Sequence, residues 1–200
     1  MHLQGLILAA GLSSRMGSFK PLMHLQGCPM IERSVRCMLK AGVERVTLVL
    51  GFRGQEIEAA LQQAGLSGQL EIVYNTEYRT TDMLHSIKLG VQAIGPCDAF
   101  YLLPGDMPAV HVSTFRRLSW AMQRGEGNII FPTIAGWKKH PPLIAAQVIP
   151  RILEFSADGG LRELWKTMEP EIACIPVEDR GCSIDVDTRC QYEAACRYLG

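Results

Sequence analysis

Short, almost uninterrupted apolar runs punctuate the chain: Gly5–Ala10 (GLILAA), Arg45–Leu50 (RVTLVL), Leu70–Tyr74 (LEIVY) and Ala99–Leu103 (AFYLL). Runs of this length without polar alternation predict strands covered on both faces, as in a parallel sheet between helices. Further strands are expected at Asn128–Thr133, Leu143–Ala146 and Glu171–Val177. Between the runs the period changes. Ile31, Val35, Met38 and Leu39 fall on one helical face, as do Leu84, Ile87, Val91 and Ile94, and later Tyr192, Ala195, Cys196 and Leu199. This alternation predicts right-handed βαβ units and an α/β fold, a Rossmann-like, doubly wound, mostly parallel sheet with helices on both faces. Phe131–Pro150, with four prolines (Pro132, Pro141, Pro142 and Pro150), reads as an irregular excursion within it, not as a domain boundary.

Composition narrows the classes. A chain of 200 residues, 48% hydrophobic and 20% charged, is expected to form one domain over 1–200 with a core that needs no disulfide or metal staple. Lys+Arg 20 against Asp+Glu 20 gives zero formal charge, which argues against broad electrostatic capture of nucleic acid or an anionic membrane. Any bound anion then needs a small local cluster of charge. The seven cysteines form no CxxC pair and read as reduced thiols of a cytoplasmic protein. The apolar run Leu6–Ala10 is too short for a membrane span and lacks the basic leader of a secretory signal.

In an open α/β sheet, ligands bind beyond the carboxyl ends of the strands. The first such loop, Leu8–Leu22 (LAAGLSSRMGSFKPL), combines Gly11 and Gly17 with Arg15 and Lys20. Exposed amides and fixed cations together suit a polyphosphate; the alternative is a tight strand–helix turn with incidental basic residues. Neither GxGxxG nor the Gly-Lys-Ser/Thr of a P-loop is present. Asp106, in Pro104-Gly105-Asp106-Met107-Pro108, stands after the fourth apolar run, where it either caps a helix or is aimed at a cation by a stiff loop. In Ser183–Thr188, alternation places Asp185 and Asp187 on one face. Two such carboxylates call for a cation or for solvent, while Asp187 or Thr188 could equally cap the last helix.

The string Leu8-Ala9-Ala10-Gly11-x-Ser13-x-Arg15-Met16-Gly17-x-x-Lys20 resembles the signature of MobA-like NTP transferases, within the nucleotide-diphospho-sugar transferase (glycosyltransferase-A-like) fold. Its Ala9-Ala10-Gly11 opening is similar to that of members that transfer a cytidylyl group to the molybdenum cofactor. The resemblance implies a single nucleotidyltransferase domain that moves CMP from CTP to a molybdopterin-type acceptor and releases pyrophosphate. It implies nucleotide contacts at Leu8, Ala9, Ala10, Gly11, Ser13, Arg15, Gly17, Lys20, Asn75, Met83 and Ser86. Arg15, Lys20 and Asp106 become the catalytic set, and Asp106, Asp185 and Asp187 the ligands of Mg²⁺ or Mn²⁺. Lys139, His140 and Pro141 would receive the anionic acceptor, although Lys138–His140 also reads as a solvated basic turn. Beside them Trp137 is a stacking candidate. Two residues depart from the pattern, Asp82 and Lys139, each where glycine is usual. A molybdoenzyme apoprotein is a further expected partner; nucleic acid and membrane are not. GTP, a sugar- or alditol-phosphate acceptor, or a non-catalytic delivery module are the alternatives.

Overall fold

The apolar runs lie side by side in a computed structural model that describes residues 1–11 and 19–200. Strand β1 (Leu3–Ala9) is followed by a small hairpin, β2 (His24–Leu25) with β3 (Cys28–Pro29), and by α1 (Met30–Lys40). Then come β4 (Arg45–Leu50), α2 (Gly54–Gln63), β5 (Leu70–Tyr74), α3 (Met83–Ala93), β6 (Ala99–Pro104) and α4 (Val112–Gln123). The remainder holds β7 (Ile129–Ile134), β8 (Trp137–Lys138), β9 (Leu143–Ala145), α5 (Ile149–Glu154), α6 (Leu161–Thr167), β10 (Ile172–Pro176) and α7 (Arg189–Leu199).

The main sheet runs β10-β7-β9-β6-β1-β4-β5, with β8 paired to the end of β7. The pairs of β1 with β4 and β6, of β4 with β5, and of β7 with β10 are parallel. Strand β9 runs against both β6 and β7. The fold is the expected α/β sheet, mostly parallel. The proline-rich excursion is part of that sheet, contributing β8 and β9.

Strand alternation sorts the core into two layers. Ile7, Leu48, Tyr101 and Leu103 face one way, onto Val35 and Met38 of α1, Ile57 and Leu61 of α2, and Phe115 and Leu118 of α4. Leu6, Val49, Phe100 and Leu102 face the other, onto Ile87 and Val91 of α3, Ile152 of α5 and Leu164 of α6. Helices α2, α4, α5 and α6 were not singled out by periodicity; α2, for instance, buries only Ile57 and Leu61 among its large side chains. Helix α3 lies so close to the sheet that a Cβ at Gly90 would run into Leu6 and Val49. The third apolar cluster, Leu25, Met30, Val186 and Ala195, docks α7 and the segment before it onto the hairpin. Among the described residues no helix is long and apolar enough to cross a membrane. All seven cysteines are free.

One buried carboxylate ties this C-terminal segment to the start of α4. Asp179 is 8% exposed and accepts from the His111 amide at 2.8 Å, Thr114 Oγ1 at 2.6 Å, the Gly181 amide at 2.9 Å and Tyr198 Oη at 2.8 Å. Burial alone would raise its pKa; the hydrogen bonds, with help from His111, outweigh burial and hold the carboxyl below its usual value. A depressed folded pKa stabilises above the unfolded value of about 3.9 and is lost as pH falls through the lower folded value. Asp179→Asn should therefore cost about 2–3 kcal/mol at neutral pH, because an amide nitrogen meets donors where an acceptor is required. The gap between variant and wild-type Tm is expected to narrow near pH 3.

Candidate active site

Strands β1 and β6 end beside each other, and the chain pinches them together there. The Gly105 amide donates to the Leu8 carbonyl at 2.8 Å, and a Cβ at position 105 would lie 2.9 Å from that oxygen. Only glycine lets the loop turn this close to β1. Above the pinch opens a cleft of about 250 Å³. Leu8, Ala9, Ala10 and Gly11 form one wall; Pro104, Gly105 and Asp106 form the next. Tyr78, Thr81, Asp82, Met83 and Ser86 close it from the start of α3, and Lys20 with Pro21 stands at its edge.

The two acidic segments converge at this edge. The Val186 amide donates to the Asp106 carbonyl at 2.9 Å, laying residues 184–187 against the β6 loop. Val186 is buried in the hairpin cluster, so its neighbours Asp185 and Asp187 project the other way, as the alternation predicts, although the segment is extended coil and not strand. Lys20 Nζ lies 2.5 Å from Asp187 Oδ1 and 3.9 Å from Asp106 Oδ2. The lysine side chain is only 10% exposed, against 33% for Asp106 and 21% for Asp187. Its ammonium thus bridges two half-buried carboxylates. Burial raises the Asp106 carboxyl above its ordinary value, Lys20 opposes that shift, and the charges of Asp187 and Asp185 add to it.

Asp185 stands further out, exposed, and accepts from Gln191 Nε2 at 3.0 Å. The same glutamine accepts the Asp187 amide through Oε1 at 3.0 Å and meets Thr188 Oγ1 at 3.0 Å. Thr188 is the residue that caps α7, its hydroxyl accepting from the Gln191 amide. Capping therefore does not draw on the Asp187 carboxylate, which remains directed at Lys20. Gln191 escaped the sequence reading because its signal, a Gln three residues after a capping Thr, looks like an ordinary helix start.

The other expected residues take several different places. Ser86 and Met83 wall the cleft, Met83 being 62% exposed. Asn75 lies beneath the wall, 2% exposed, donating to Thr81 Oγ1 and Ser86 Oγ and accepting from the Glu77 amide, so it shapes the 75–86 loop from inside. Asp82, where glycine is usual, caps α3 by accepting from the His85 amide at 2.9 Å. Lys139, His140 and Pro141 are not among the residues walling the cleft; they precede β9, next to the end of β6. His140 Nδ1 is buried there without a hydrogen-bond partner among the described residues, and burial lowers the His140 pKa against a smaller upward pull from the Leu102 backbone. Trp137 is 74% exposed at the tip of the β7–β8 turn. Ser13, Arg15 and Gly17 lie outside the described residues. Tyr78 and Thr81 wall the cleft without having been expected, since neither carries a charge or a motif.

Among the described residues no three metal-binding side chains form one cluster. Two carboxylates that share one cation still fit a hard divalent ion, because Mg²⁺ is commonly held by one or two carboxylates with substrate phosphates and water completing its shell. Asp106 and Asp187 are the side chains that could hold such an ion.

A MobA-like NTP transferase domain model matches residues 5–172. The chain is 27% identical over 183 residues to molybdenum cofactor cytidylyltransferase of Escherichia coli (strain K12), covering 92% of this chain and 90% of that protein. It is 25% identical over 185 residues to a probable molybdenum cofactor guanylyltransferase of Opitutus terrae, covering 89% and 87%. In fold it is similar to the crystal structure of Rv0371c from Mycobacterium tuberculosis H37Rv, with a TM-score of 0.81 at 22% identity over 98% of this chain and 99% of that one. A manganese complex of that same protein gives a TM-score of 0.75 at 20% identity, covering 98% and 99%. With the cleft, the paired carboxylates and a family match over most of its length, this chain belongs to the MobA-like NTP transferase domain family and is a nucleotidyltransferase.

Proposed function

We propose that the protein, acting as one catalytic domain over 1–200, transfers CMP from CTP to the phosphate of a molybdopterin-type acceptor. The observation that carries this reading is the convergence of Asp106, Asp187 and Lys20 at the mouth of the β1–β6 cleft. The choice of CTP and of molybdopterin rests on the near full-length similarity to the cytidylyltransferase. All seven cysteines are free thiols, in keeping with a cytoplasmic setting.

In the reaction, an oxygen of the acceptor phosphate attacks the α-phosphorus, the bond from that phosphorus to the bridging α–β oxygen breaks, and pyrophosphate carries the electron pair away. Such a transfer needs alignment and charge neutralisation, not a protein nucleophile. Backbone amides after β1 and the Lys20 ammonium bind the triphosphate, together with Arg15. Ser86 and Met83 border the nucleoside, over a loop that Asn75 holds in shape. Asp106 and Asp187 would hold Mg²⁺ or Mn²⁺, with Asp185 beside them; the metal supplies charge stabilisation at the α-phosphate. Lys139, His140 and Pro141 are the segment we assign to the acceptor, although His140 Nδ1 is buried and the three do not wall the cleft. A molybdoenzyme apoprotein is the expected recipient of the product.

Asp82 favours a second reading, GTP. A carboxylate on the cleft wall suits the N–H groups of guanine, whereas here it also serves the His85 amide. Pyrophosphate release with each NTP, with and without molybdopterin and Mg²⁺, separates the two. The expected result is turnover with CTP; turnover with GTP selects the second reading, and tight binding without turnover removes both. Asp106→Ala should lower turnover at least about 100-fold with little change in Tm. Lys20→Ala should weaken NTP binding, as read by calorimetry. Gln191→Ala should weaken the apparent Mn²⁺ affinity about tenfold, measured by Mn²⁺ electron paramagnetic resonance, because both carboxylate-bearing residues lose their tether.

A further inference from the structure

We infer that a second anion site, separate from the cleft, lies between α1 and the segment leading into α4, and that it takes a phosphate or diphosphate group carried by a small molecule. A cavity of about 260 Å³ opens there and shares no wall residue with the nucleotide cleft. Arg33, Arg36 and Lys40 line it from α1, spaced so that all three project from one helix face. His111 stands at the opposite rim, stacked on Tyr198 with ring centroids 5.2 Å apart. Three permanent cations on one small concavity, with no carboxylate among the described lining residues, call for a multiply charged anion.

The arrangement is held in place. Arg33 Nε donates to the Pro108 carbonyl at 3.2 Å, and Arg36 Nη2 to the Ala64 carbonyl at 3.0 Å. Arg36 Nε donates to Glu32 at 2.7 Å, and the buried Asp179 lies 4.0 Å from His111 Nδ1 and acts on Cys37; against Arg33, Arg36 and Lys40 these two carboxylates still leave the rim net positive. The two lining thiols add no negative charge. Burial pushes Cys37 up to about 11, and its Sγ donates to the Val110 carbonyl at 3.0 Å. Cys28 is raised as well, by burial first and Glu32 second, against the pull of Arg33, Arg36 and Lys40. Val110 and Val112 supply an apolar wall for the body of the ligand. At about 260 Å³ the cavity lies just below the usual range of small-molecule pockets, a size that suits a phosphate or diphosphate group with a small body and not a protein segment.

The test is a titration of the full chain with inorganic pyrophosphate in EDTA, following the Arg33 Nε–Hε resonance by NMR. That signal reports on the α1 cavity whatever pyrophosphate does in the cleft. The expected result is a saturable shift in wild type whose midpoint rises at least tenfold in Arg36→Gln/Lys40→Glu and several-fold in Lys40→Gln, a milder change at an exposed position. Lys20→Ala, in the cleft, should leave the midpoint unchanged. An Arg33 signal that does not move, or a midpoint indifferent to both α1 variants, overturns the proposal.

Discussion

The close pairing of β1 with β6 at their carboxyl ends is the constraint on which the site rests. Gly105 presses its amide onto the Leu8 carbonyl, and this contact fixes where the β6 loop can go. From it follow the direction of Asp106, the acceptance of the Val186 amide by the Asp106 carbonyl, and so the location of Asp187. A bulkier residue at 105 would push the two strand ends apart and carry both carboxylates with them.

Electrostatics at the cleft are arranged against the overall balance of the chain. Zero formal charge conceals an acidic pair that is costly to gather in a half-buried place. Lys20 offsets that cost by standing between Asp106 and Asp187, itself almost out of solvent. Asp179 is managed differently: surrounded by neutral donors, it is satisfied in place and serves architecture. The buried Asp179 and the half-buried pair Asp106 and Asp187 thus have opposite relations to their surroundings, the first satisfied by hydrogen bonds and the pair dependent on a shared cation.

The sequence disclosed the sheet well because each main strand is a dense apolar run whose flanks are polar or glycine. It disclosed α1, α3 and α7 for the same reason, while α2 and α4 were obscured by stripes of only two or three large residues. Asp106 and Asp187 were legible as chemistry, from type and neighbourhood. Their meeting was not, since it depends on one backbone hydrogen bond between residues far apart in the chain. Asn75 was legible as a motif residue, yet its place beneath the cleft wall depends on packing that no spacing encodes. Tyr78 and Thr81 gave no signal and that of Gln191 reads as an ordinary helix start; all three are polar residues of common types in positions that only the fold makes special.

The last strand of the sheet ends at Pro176, and Asp187 comes after it. All the strands of the sheet are thus in place before the tail that supplies half of the carboxylate pair, and that tail adds only Val177 and Cys182 to the first core layer. That tail is held by the Asp179 cluster, the Val186 amide, the Lys20–Asp187 pair, the Tyr192 hydroxyl donating to the His24 carbonyl and a small apolar patch around Leu25. Such a unit can open locally at far less cost than global unfolding. Each opening would dismantle the charge pair while the sheet stays intact, so the lifetime of an assembled site is set by how firmly the C-terminus is docked.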